Sequence, residues 1–156
     1  MRSLIAIPLF ASLAACMGGG TSADDQAPYN CAIETRADTF VVGLDKVGAG
    51  MELDFKLMTA APAPPARGDN TWSLQLSAMA AGVVGSGVAG ATLTATPFMP
   101  DHMHGSPIQV VVTDKGGGAY ELSPVNLWMP GLWQTTVTAT SASGSDQTVF
   151  AFCIPE

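Results

Sequence analysis

Trp72-Ser73-Leu74-Gln75-Leu76-Ser77-Ala78 sets an apolar side chain at every second position. Successive side chains of a strand point to opposite faces, so this spacing predicts a strand with one dry face and one wet face. Met51, Leu53, Phe55 and Leu57 repeat the period on the N-terminal side. Working outward, 39–44, 91–96, 108–113, 119–122, 133–140 and 147–154 read the same way, giving about eight short strands. Arg67-Gly68-Asp69-Asn70, Asp114-Lys115-Gly116-Gly117-Gly118 and Ser143-Gly144-Ser145-Asp146 read as turns between them. One sheet would leave these apolar faces in water; two sheets packed face to face bury them. The expected fold is therefore all-β, an immunoglobulin-like antiparallel β-sandwich of about eight strands.

Two stretches break the pattern. Residues 77–90, rich in Ala, Val and Gly, read as a loop rather than a short helix. The segment 60–67 contains Pro62, Pro64 and Pro65 and is excluded from a central strand, because proline cannot donate to the ladder. It is expected to run extended over the surface as a stiff connection.

Composition narrows the function. Six Lys and Arg stand against thirteen Asp and Glu, a formal charge of −7, with no basic cluster. Nucleic acid and anionic lipid headgroups are poor partners for such a surface. No Gly-rich phosphate loop follows a strand, and no serine or cysteine has an activating context, so an enzyme is not expected.

At the N-terminus Arg2 precedes an apolar run, 4–13, that is too short to span a bilayer. The run ends in Leu13-Ala14-Ala15-Cys16, which resembles the lipobox of bacterial lipoproteins. The resemblance implies that 1–15 is a removable signal peptide and that Cys16 carries lipid. Each buried acyl methylene contributes about 0.8 kcal/mol, so two or three chains anchor the protein stably to a membrane. Residues 16–30, with three consecutive glycines, read as a flexible tether, and 31–156 as one sandwich domain. Met17 follows the cysteine in place of the Asp associated with inner-membrane retention. The default location in a diderm host is thus the outer membrane, facing the periplasm. Cys31 and Cys153 then remain and are expected to pair, since the compartment is oxidising; the alternative is two separate buried thiols.

The candidate chemistry concentrates in Phe98-Met99-Pro100-Asp101-His102-Met103-His104-Gly105, which holds both histidines of the chain. In an extended segment His102 and His104 project to one side while Met103 faces away; alternatively a loop brings Met103 or Met99 inward. Imidazole suits Cu(II) and Zn(II), and thioether suits Cu(I), so a mixed His and Met set points toward copper. Met129, in Trp128-Met129-Pro130-Gly131, is a further candidate ligand if the two Met-Pro turns meet at one end of the sandwich. Asp101 could ligate through its carboxylate or orient a histidine. Trp128 and Trp133 are expected to fill the core, with shielding of a bound ion as the lesser option.

Met99-Pro100-Asp101-His102-Met103-His104-Gly105, then Tyr120, then Met129-Pro130-Gly131-Leu132-Trp133, resemble the YtkA-like and FixH-like domains over about 71–140. Such domains are small extracytoplasmic immunoglobulin-like sandwiches, some of them associated with copper handling or with assembly of haem-copper oxidases. The resemblance implies that the histidine-methionine turn is the metal-facing loop and the Met-Pro-Gly-x-Trp turn its structural neighbour. FixH-like proteins are usually anchored by a transmembrane helix, which departs from the lipobox seen here. Two function classes follow. One is a lipid-anchored module that captures or delivers Cu(I) or Cu(II), with a copper protein or another envelope protein as partner. The other is a metal-free structural or interaction domain of the cell envelope.

Overall fold

The computed structural model describes residues 29–142 and 144–156; Cys16, the expected signal peptide 1–15 and the expected tether up to residue 28 lie outside the described residues. Among the described residues a 3-10 turn, Cys31–Ile33, precedes ten strands: β1 (Leu44–Val47), β2 (Leu53–Ala61), β3 (Gly68–Ala80), β4 (Val83–Gly87), β5 (Thr92–Met99), β6 (His104–Gly105), β7 (Val111–Gly116), β8 (Ala119–Leu127), β9 (Gly131–Ser141) and β10 (Gly144–Ile154). They form two antiparallel sheets. One runs β1-β2-β3-β8-β7, with β4 also paired to β3, and the other runs β10-β9-β5-β6. Among the described residues no helix is long and apolar enough to cross a membrane.

The alternation that predicted the sandwich is what closes it. Leu53, Phe55 and Leu57 of β2 and Trp72, Leu74 and Leu76 of β3 are buried against Val137 and Ala139 of β9 and Phe150 of β10. Trp72 meets Phe150 and Phe152 edge-on, with ring centres 6.3 and 5.5 Å apart. Tyr120 adds a polar tie: its hydroxyl donates to the Val88 carbonyl at 2.8 Å and accepts from the Ala91 amide at 2.9 Å. Cys31 and Cys153 are disulfide-bonded, which fastens the N-terminal turn to β10.

Several expected boundaries move, each for a physical reason. Residues 77–90 are not one loop but the last four residues of β3, a two-residue turn, β4 and a three-residue connection, 88–90. Ala81 and Gly82 both have positive φ, 51° and 77°, the backbone that lets a tight hairpin follow strand twist. An alanine there conceals the turn, and β4, exposed at every residue, has no alternation to reveal it. Met51 sits in a turn at φ 57°, 73% exposed, and β2 starts at Leu53. The segment 39–43 is not a strand; it carries Phe40 onto Phe152. Gly68 to Asn70 belong to β3 rather than to a turn, with a register shift between Asn70 and Trp72. There the buried Asn70 amide bonds the carbonyls of Ala66, Gly68 and Val125. Gly144, Ser145 and Asp146 likewise open β10.

Asp146 explains the course of the chain before β2. Its buried carboxylate accepts from the amides of Gly50, Glu52, Leu53 and Gln147 at 2.7 to 3.2 Å. A Cβ at Gly48 would overlap that carboxylate, so glycine is required where the chain passes over it. Burial alone would raise this carboxyl, but the four amides outweigh it and hold it below the usual range. Its contribution is therefore present above the unfolded-state pKa and fades as pH falls through the lower folded value. Asp146→Ala is expected to cost about 2 kcal/mol, because it leaves partly buried amides without a partner. Urea unfolding at pH 7 checks this, and an unchanged midpoint would show that the four bonds do not hold the segment.

Candidate functional site

The end of β5 builds one side of the site. Leu93, Ala95, Pro97 and Met99 alternate inward and are buried. Pro100 to Met103 form a turn closed by the His102 amide on the Met99 carbonyl, with Met103 at φ 56°. β6 then returns, pairing Met99 with His104. Directly opposed residues of an antiparallel pair share a face, so the Met99 and His104 side chains lie on the same side of the sheet.

The His102 and His104 rings lie 5.7 Å apart, tilted by 44°. They come together because the chain reverses between them, not because it is extended. Two imidazoles sharing an ion at ~2.0–2.1 Å from each nitrogen hold their ring centres roughly 5–6 Å apart, so this spacing suits a common ion.

The second Met-Pro turn, between β8 and β9, packs on the first. Trp128 stacks on His104 at 5.5 Å and 25°, and Trp133 meets His104 edge-on at 6.3 Å. Gly131 abuts the tip of Met99: a Cβ there would lie 2.6 Å from its Cε. The two turns do meet at one end of the sandwich. Trp133 is buried and donates to the Met129 carbonyl at 2.9 Å, whereas Trp128 is 42% exposed and is not a core residue. Met129 packs partly buried against the core, Met99 is fully buried beneath the turn, and Met103 is 77% exposed.

Asp101 takes neither expected role. Both its oxygens bond Arg36, each at 2.7 Å, and Tyr29 donates to it at 3.1 Å. Arg36 also grips Glu34, which accepts from Tyr29 as well. Hydrogen bonds from Arg36 hold Asp101 below the usual carboxylate range and bring Glu34 down to about 2. Burial and the two carboxylates push Tyr29 up to about 12. Arg36 thus clamps the histidine turn to the segment that precedes the sandwich. Tyr29 and Asn30, placed in the tether by composition, are already tied to the domain, Asn30 capping the 3-10 turn. Sequence reasoning missed Tyr29, Glu34 and Arg36, since Arg36 and Asp101 lie 65 residues apart and no local pattern pairs them.

A family model described as YtkA-like matches residues 50–138, a span from just before β2 into β9 that includes both Met-Pro turns. This chain belongs to the YtkA-like family. The match is wider than the resemblance read from the two turns, and it covers β2 and β3. No curated protein and no solved structure matches the chain. Within this YtkA-like domain no cluster of three or more His, Cys, Asp or Glu side chains stands ready for a metal ion among the described residues. The methionines of the two turns, Met99, Met103 and Met129, are the candidate sulfur donors to accompany the two imidazoles.

Proposed function

We propose that this YtkA-like domain is a lipid-anchored extracytoplasmic module that captures or delivers copper as cargo through its histidine-methionine turn. The observation that carries the reading is the His102–His104 pair with Met99 opposite His104 on the same face. Two imidazoles and a thioether make a soft set that favours Cu(I) over harder cations. Asp101, bound to Arg36, is not free to add a hard oxygen. Met103, exposed at the rim, is the thioether an incoming ion would meet first, and Trp128 covers His104 from the side. Met129 acts through its carbonyl, which holds Trp133 behind the pair. The Cys31–Cys153 bridge fits an oxidising compartment, and a lipid on Cys16 would hold the domain at a membrane surface, by default the outer membrane facing the periplasm. There its partners would be other copper or envelope proteins.

The test is calorimetric titration of Cu(I), Cu(II) and Zn(II) into the lipid-free chain, produced from residue 17 onward. Cu(I) should bind at one ion per chain, and His102→Ala with His104→Ala should weaken it by at least about 100-fold. Met99→Leu keeps the core volume, so it should weaken Cu(I) while leaving Zn(II) unchanged. At 100 times Kd, Cu(I) should stabilise the fold by about 2.7 kcal/mol. Absence of heat and of any thermal shift with all three ions would sink the copper reading and leave a metal-free interaction domain of the envelope.

A further inference from the structure

We infer that β5 is a dimerisation edge: it pairs antiparallel with β5 of a second copy across a two-fold axis at Thr94. β5 is bonded to β9 along 92–98 but to β6 only at Phe98 and Met99, so from Thr92 to Thr96 its other edge has no strand beside it among the described residues.

Which main-chain groups face that edge follows from alternation. The Pro97 carbonyl accepts from Ser106 and the Met99 carbonyl from His102, both on the side away from β9. In an antiparallel strand the N–H and C=O of one residue point the same way and alternate along the chain, so Leu93 and Ala95 also face the open side. Pro97 fits this assignment, because its missing N–H then falls on the edge and not in the β9 ladder.

The same sheet treats its other edge differently. On β10 the Ala151 amide and carbonyl are both taken by Asp38, the Val149 carbonyl by Lys46 and the Gln147 carbonyl by Ala49. Charged caps of this kind keep an edge from pairing with another chain. Among the described residues β5 carries none: Thr92-Leu93-Thr94-Ala95-Thr96-Pro97 is uncharged, with Thr92, Thr94 and Thr96 exposed. Beside it runs a cleft of about 630 Å³ whose far wall includes Ile108, Val110 and Val112, and no lining side chain is charged. On a chain of net charge −7, this is a place where two copies can approach without repulsion.

Self-pairing also satisfies the register. With Thr94 opposite Thr94 of the second copy, each Leu93 faces an Ala95, and these residues exchange about four main-chain hydrogen bonds. The central threonine pair is a favourable cross-strand contact, and the interface is isologous, so it closes at two copies. Met99 lies five residues from the axis in each copy, which puts the two histidine turns ~30 Å apart. Dimerisation therefore leaves one copper site per chain, independent of its twin.

Sedimentation of the lipid-free chain from residue 17 onward, at up to about 1 mM, should show a concentration-dependent dimer. Thr94→Lys sets two charges face to face at the axis and should yield a monomer, whose melting temperature matches that of wild type at dilutions where wild type is itself monomeric. Thr94→Cys should cross-link two chains under mild oxidation, since the Cα atoms of such a pair lie ~4.5 Å apart. Thr96→Cys, four residues from its twin in register, should not. A wild type that stays monomeric throughout, a dimer that survives Thr94→Lys, or equal cross-linking at 94 and 96 would each overturn the assignment. Copper titration of Thr94→Lys separates this inference from the proposed function, because its copper affinity should match wild type.

Discussion

Removal of the Cys31–Cys153 bridge, by reduction or by the double change to alanine, is expected to cost the domain roughly 4 to 5 kcal/mol. The bridge closes a loop of 122 residues, nearly the whole sandwich, and a chain so cross-linked has far less freedom to gain on unfolding. Urea unfolding with and without reductant measures the loss as a fall in the extrapolated unfolding free energy, with a steeper slope because the reduced unfolded chain is more expanded. A shift below about 1 kcal/mol would mean that the unfolded chain is already compact, or that packing between the 3-10 turn and β10 does the same work unaided. The effect should reach the histidine turn as well. Cys31 begins the segment that carries Glu34 and Arg36, and Arg36 holds both oxygens of Asp101. Amide hydrogen exchange at His102 and Met103 should therefore quicken on reduction by more than it does in β9, where the ladder is continuous on both sides.

The sandwich was legible wherever a strand has one face in the core. Leu53 to Leu57, Trp72 to Leu76 and Trp133 to Ala139 alternate because one sheet waits behind each inward residue. β4 was not legible because it hangs off the end of β3 with both faces in water, which leaves nothing to impose a period. The pairing of the two histidines was visible from their spacing alone, though a turn, and not an extended segment, brings the rings together. The role of Asp101 was invisible, since a charge in a loop carries no sign of a partner 65 residues away. Asp146 was misread for a related reason. Within Ser-Gly-Ser-Asp it has the composition of a turn, yet its carboxylate is buried and organises a segment almost a hundred residues upstream.

Asp54 shows the limit of alternation most clearly and supports the other large prediction. In Leu53-Asp54-Phe55 it falls on the outward face, where period two places it in water, yet it is only 2% exposed. It lies opposite Val47 on β1 and Ser77 on β3, with one carboxyl oxygen lacking a partner among the described residues. Burial, reinforced by the hydrogen-bonded Asp45 carboxylate, pushes it up to about 6 from a usual 3.8. The folded state therefore holds this proton more tightly than the unfolded chain does, so stability is lost as pH rises from about 4 through about 6. At pH 7.5 the full penalty applies, on the order of 2 to 3 kcal/mol at 1.36 kcal/mol per pH unit. Asp54→Asn keeps the shape, removes the charge and can donate to Asp45 in place of the shared proton. The variant should be more stable than wild type by about 2 kcal/mol at pH 7.5 and nearly equal to it at pH 3.5. Thermal unfolding at the two pH values decides the matter: a gain of the same size at both would trace to packing, and no gain at either would mean that the carboxylate is solvated after all.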